Sequence, residues 1–220
     1  MDITEFRETV EASKRTELDR LGSSQLLVAL TDAELDAESV LGVAARSEAA
    51  AYGTFSSWAE DEADGAAREA FESVAEQEAD HYERVVAAMD DAGDAAGESV
   101  EEAADADSGP MHGYLRGRDD TVSRVAGGMV GRSLLSLRTH TQITSFFVNE
   151  ADEKRANLFR ELKSETRDTL ERGLELLADD CESDEEWERA RATAEYTIQL
   201  AYDDYADALE ELGLNPKSVC

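Results

Sequence analysis

Glu78 and His81 stand three residues apart in the run VAEQEADHYERV, and a helix projects residues at that spacing from one side. A carboxylate and a neutral imidazole placed so can share one cation, which makes the pair a candidate half of a metal site. Glu78 and His81 both fall on an apolar stripe, Ala67, Phe71, Val74, Glu78, His81, Val85, Met89, at helical spacing. A second stripe, Leu41, Ala45, Glu48, Tyr52, Phe55, Ala59, also carries a glutamate at its centre. Burying an unpaired carboxylate costs several kcal/mol, on the order of a domain's whole margin of stability. Two readings follow for Glu48 and Glu78. They share a metal ion with His81, or they sit at the edge of the stripe, hydrated or paired with Arg46 or Arg84.

The elements that must position these groups are helical. Ala, Glu, Leu and Arg abound, and proline occurs only at Pro110 and Pro216, so the fold class is all-α. A short leading helix spans about residues 2–20. Thr31 to Glu34 reads as a Thr-x-x-Glu capping box opening the first core helix, and a break near Gly65 separates it from the second. Residues 31–90 form the first hairpin. From 91 to 119 the pattern dissolves into Gly, Asp, Ala and Glu around Pro110, a crossover too long for a hairpin loop, in which His112 reads as a loop residue. Residues 120–179 form the second hairpin, with Val125, Met129, Leu134, Leu135, Ile143, Phe146 and Phe147 on its first helix and Phe159, Leu162, Leu170 and Leu174 on its second. Ser183 to Glu186 is a further capping box, opening a C-terminal helix over 183–213 that packs on the outside. The 220 residues make one domain.

The chain carries 52 acidic against 21 basic side chains, a net charge of −31, and only four of the basic residues are lysines. Acid excess with few lysines resembles proteins of salt-loving cells, where charge is screened over roughly 3 Å at about 1 M salt. It argues against direct nucleic-acid binding, which needs a basic footprint, and leaves a homo-oligomer or another protein as the expected partner. No apolar run approaches the ~20 residues of a membrane span and no leader is evident, so a cytoplasmic location is expected. Cys181 and Cys220 are the only thiols, too few for a four-cysteine zinc or rubredoxin site.

The run from Glu48 to His81 (EAAAYGTFSSWAEDEADGAAREAFESVAEQEADH) resembles the first hairpin of rubrerythrin-type ferritin-like proteins. Tyr52, Phe55, Ala59, Glu62, Phe71, Glu78 and His81 follow that pattern in order, over about a quarter of the chain. The resemblance implies a ferritin-like four-helix bundle with the crossover between its second and third helices. It also implies iron held by carboxylates and histidine, and action on peroxide or oxygen as an iron-dependent oxidoreductase.

Departures from the pattern open an alternative. Its leading ligand glutamate would fall on Ala45, with Glu48 one turn later. Glu62-Ala63-Asp64 returns as Glu150-Ala151-Asp152 and Phe71 as Phe159, 88 residues on in each case, consistent with a duplicated hairpin. The same offset sets Ser136 opposite Glu48, Thr166 opposite Glu78 and Thr169 opposite His81. Glu165 and Asp168 lie one residue out of register, and the third helix has no carboxylate. The metal-ligand candidates are therefore Glu48, Glu78 and His81, with help from His140 or Glu165, for a mononuclear or degenerate di-iron site. For His140 a core histidine bonded to a backbone carbonyl or to Thr144 is the commoner explanation. If the site is lost, the chain is a non-catalytic ferritin-like scaffold acting as a regulatory or adaptor protein, for example in transcription or stress response.

Overall fold

The computed structural model describes residues 1–89, 98–104 and 109–217. Every regular element among them is helical, and none is long and apolar enough to cross a membrane. Cys220 and part of the crossover lie outside the described residues.

The expected leading helix is divided into α1 (Ile3–Ser13) and α2 (Arg15–Leu21), followed by a short α3 (Gln25–Leu30). Thr31 does not cap the next helix. Its hydroxyl donates to the Leu27 carbonyl at 2.7 Å, closing α3, and left-handed turns at Asp32 and Ala33 follow. The first long helix, α4 (Ala37–Asp61), is capped by Asp36, which accepts from the Ser39 amide at 2.8 Å. The threonine motif failed because a hydroxyl can close one helix by back-bonding as readily as it opens another.

Asp64 caps α5 (Gly65–Val86) through the Ala67 amide, and Asp152 caps α10 (Glu153–Asp180) through the Arg155 amide. Both capping partners sit 88 residues apart, so the two hairpin turns use the same device at equivalent places. Phe71 and Phe159 are both fully buried, each contributing about 1.5–3 kcal/mol by burial. Ser183 and Glu186 form the anticipated capping box at the start of α11 (Asp184–Glu211).

The crossover is more ordered than its composition suggests. It holds α6 (Val100–Ala104) and α7 (Gly109–Arg116), both packed on α4, and it buries His112 and Leu115. The expectation that His112 is a loop residue is corrected: Pro110 lies in the first turn of a helix, where its missing N–H costs nothing. The third long helix runs from α8 (Thr121–Arg124) through a π-helical segment (Val125–Arg132) into α9 (Ser133–Asn149). An eight-residue π-helical stretch is longer than the usual single-turn bulge. Its glycines admit close neighbours: a Cβ on Gly128 would lie 2.5 Å from the Trp58 ring, and one on Gly131 would lie 3.0 Å from the Ala194 carbonyl oxygen of α11.

Helix α4 packs on α5, α9 packs on α10, α5 meets α10, and α11 lies along the π-helical segment. Helices α4 and α9 approach less closely than either approaches its hairpin partner. The apolar core forms two clusters. One contains Phe55, Phe71, Val74, Leu134 and Leu170, and the other Leu41, Val85, Ile143, Phe159 and Leu162. On three of the long helices the boundary between them falls at polar residues, Glu78 and His81 on α5, His140 on α9, Thr166 and Thr169 on α10, and on α4 Glu48 lies just inside the second cluster. A buried polar layer thus cuts across the core.

Candidate metal centre

Each stripe places its polar members inward because the apolar residues above and below them are locked in the core. Glu48, Glu78 and His81 are almost completely buried, and one potential ligand atom from each lies within 4.8 Å of the others. His81 Nδ1 lies 3.8 Å from Glu48 Oε2 and 3.8 Å from Glu78 Oε2. Both separations exceed a hydrogen bond, and Nδ1 is buried with no partner. The other ring nitrogen is held: His81 Nε2 is 2.6 Å from Glu165 Oε2, and Glu165 is in turn held by Arg84 at 3.1 Å.

The unforeseen member is Arg132, at the end of the π-helical segment and 2% exposed. Its guanidinium donates to both oxygens of Glu78, at 2.9 and 3.0 Å, and lies 3.6 Å from Glu48 Oε2. This fork-to-fork pair is the strongest form of a charge-assisted contact. Neither Arg46 nor Arg84 pairs with the buried glutamates: Arg46 is exposed, and Arg84 joins Asp80, Glu161 and Glu165. A signal for Arg132 exists in the sequence, an arginine closing the apolar run VAGGMVGR on a central helix. Two inward glutamates require inward positive charge, and the third helix, which has no carboxylate, supplies it.

His140 Nε2 is 3.1 Å from Glu48 Oε1, with its Nδ1 buried and unpartnered. The Thr144 hydroxyl bonds the backbone carbonyl of His140, leaving the ring to Glu48. His140 and Glu165 therefore reach the periphery of the cluster: one orients Glu48, the other orients His81. The hydroxyl substitution in the second hairpin holds in three dimensions. Thr166 and Thr169 are buried, Asp168 is exposed, Thr166 donates to the Leu162 carbonyl and Thr169 pairs with Gln77.

The electrostatics are those of a compensated cluster. Burial pushes the Glu48 carboxyl up, but the hydrogen bond from His140 and the nearby His81 imidazole outweigh it and hold it well below the usual carboxylate range. Burial opposes charge on His81, yet Glu48, Glu78 and Glu165 raise it to about 9. Burial and the charge of Glu48 lift Glu78 to about 7 against the pull of Arg132. Burial disfavours charge on Arg132, but the two carboxylates keep it more firmly protonated than usual. Two carboxylates thus face two cations.

No protein-family model matches the chain, and comparisons with curated proteins and with solved structures found no match. The functional reading rests on the cluster itself.

The residues fit one metal ion. Glu48, Glu78 and His81 offer oxygen and nitrogen donors suited to a divalent transition metal, and the unpartnered Nδ1 is an unused donor aimed between two carboxylates. They do not supply a second site. The positions that would complete it carry hydroxyls, and a fixed positive charge, Arg132, already lies against both glutamates.

Proposed function

We propose that the protein is a ferritin-like helical bundle that binds a single divalent transition metal ion, iron foremost, through Glu48, Glu78 and the Nδ1 atom of His81. Arg132 stands where a second cation would be required. The observation that carries this reading is the buried, unpartnered Nδ1, 3.8 Å from an oxygen of each glutamate. The ferritin-like reading is supported by the two hairpins, their equivalent caps, the crossover joining them and the contact of α5 with α10.

A bound ion supplies fixed positive charge and, if iron, one-electron redox chemistry. Around it, Glu165 holds the Nε2 side of His81 and so fixes the ring that presents Nδ1. His140 orients Glu48, and Arg132 orients Glu78 and shields the charge of the pair. With Arg132 in place the site does not divide a two-electron oxidation between two irons, so peroxide reduction by a dinuclear centre is not the activity proposed. The ion has a structural or sensing role in an acidic protein of a salt-rich cytoplasm, with a protein partner or a second copy as the receiver.

The charge balance favours a second reading. Glu48 and Glu78 against Arg132 and protonated His81 need no metal, and a water can fill the 3.8 Å gaps. The protein is then a metal-free scaffold or adaptor. Anaerobic calorimetric titration of chelator-treated protein in high salt with Fe²⁺, Mn²⁺ and Zn²⁺ separates the two. Saturable binding that His81→Ala abolishes supports the metal reading. Absence of binding by every ion overturns it and leaves the scaffold.

A further inference from the structure

Between α4 and α9, the two helices that stand apart, lies a cavity of about 620 Å³, bounded also by α3, α7 and α11. Its size is that of a small-molecule site. Leu26, Leu30, Ala44, Leu135 and Ala201 are among its apolar walls, and Glu48, His112, Arg132 and His140 also line it.

His112 decides what the cavity recognises. It is 4% exposed, and its Nδ1 lies 2.9 Å from the Thr54 hydroxyl. Thr54 has one proton and donates it to the Ala50 carbonyl at 2.9 Å. The Nδ1–H of His112 therefore donates to the Thr54 oxygen, and Nε2 is left as an acceptor with a free lone pair. Among the described residues nothing partners that nitrogen. Burial, with Arg132 and Arg116 nearby, holds the imidazole down at about 3, so it is neutral and remains an acceptor across the physiological range.

The charges around the cavity select further. Asp204, Asp207 and Glu211 of α11 line it together with Glu48, against Arg46 and Arg132, so its lining is net acidic and repels anions. At the His112 end, Arg132 disfavours a cation. We propose that the cavity binds a neutral, largely apolar small molecule whose hydroxyl or amide N–H donates to His112 Nε2. This assignment goes beyond the metal reading and does not depend on it.

The test uses full-length protein in high salt with EDTA, by equilibrium dialysis against 1-naphthol, 1-methoxynaphthalene and 1-naphthoate. The first two share an apolar body, and only the first donates a hydrogen bond; the third is an anion. Saturable binding of one 1-naphthol per chain is expected, with the methyl ether and the naphthoate each weaker by about tenfold or more. His112→Leu should bring 1-naphthol and its ether to about the same affinity, and Ala201→Phe should abolish binding of both while circular dichroism stays unchanged. The proposal is overturned if 1-naphthol does not saturate, if the wild-type protein binds naphthol and ether alike, or if folded Ala201→Phe binds as well as wild type. Because chelator is present throughout, failure here leaves the metal reading standing, and failure of the metal titration leaves this one.

Discussion

The hairpins α4–α5 and α9–α10 share aspartate caps and buried phenylalanines 88 residues apart, yet their inner polar residues differ in kind. The first presents Glu48, Glu78 and His81. The second presents Ser136, Thr166 and Thr169, and its buried threonines turn their hydroxyls onto neighbouring polar groups. The second hairpin places His140 and Glu165 at the periphery of the centre, and the helix that leads into it sends one long cation between the glutamates, Arg132. A guanidinium does the electrostatic work of an ion without its exchangeability. The first hairpin groups donors that could hold an ion, and the second is met by a charge that is permanent.

Removing the permanent charge should have the largest effect. Arg132→Met leaves Glu48 and Glu78 buried with only the His81 and His140 imidazoles for partners, and the metal-free protein should lose about 3–5 kcal/mol in chemical denaturation. Added Zn²⁺ should restore part of that loss, because the ion replaces the missing charge, whereas in the wild-type protein it should add less. A variant as stable as wild type would show that the guanidinium is incidental.

The comparison can also be reversed. Combining Arg132→Ala with Ser136→Glu, Thr166→Glu and Thr169→His rebuilds in the second hairpin what the first retains. Metal content should rise from about one to about two ions per chain under the same reconstitution. If it stays at one, the 88-residue correspondence does not extend to the ligand positions.

The pH dependence separates the titrating half from the fixed one. His81 is raised in the folded protein to about 9 from 6.5. Its stabilising contribution is therefore complete below about 6.5 and is lost as pH rises through about 9. Glu78, raised to about 7, acts in the same direction between 4.5 and 7. Thermal melts of metal-free protein should fall as pH climbs from 6.5 to 9. Metal affinity should move oppositely, rising by up to about tenfold per pH unit toward 9 as the ion displaces the His81 proton. Affinity that is flat over this range would mean that His81 is not a ligand.

The smallest effect is expected at the rim. The Glu165 side chain is 39% exposed and is shared with Arg84. Glu165→Gln should cost the metal-free protein under about 1 kcal/mol after solvent screening, and should shift the alkaline limb of its melt toward lower pH.

What the sequence made legible follows from periodicity. The long helices, the hairpin pairing and the inward placement of Glu48, Glu78 and His81 all follow from stripes of apolar residues whose phase survives folding. Thr31 misled because a local motif of two residues has two uses. The crossover helices α6 and α7 escaped notice because short elements packed on α4 need few apolar residues, and the inwardness of His112 went with them. Arg132 escaped for a different reason. A π-helical segment breaks the 3.6-residue phase just before it, so no stripe points to it. Only the demand for countercharge does, and that demand is visible once both glutamates are taken as buried.

The decisive measurement is the metal content of the protein itself. Wild-type chain purified in high salt, reconstituted anaerobically with Fe²⁺ and desalted, should carry about one iron per chain by elemental analysis, and His81→Ala about none. Two irons per chain in the wild type would contradict the place given to Arg132, and none would contradict the binding site.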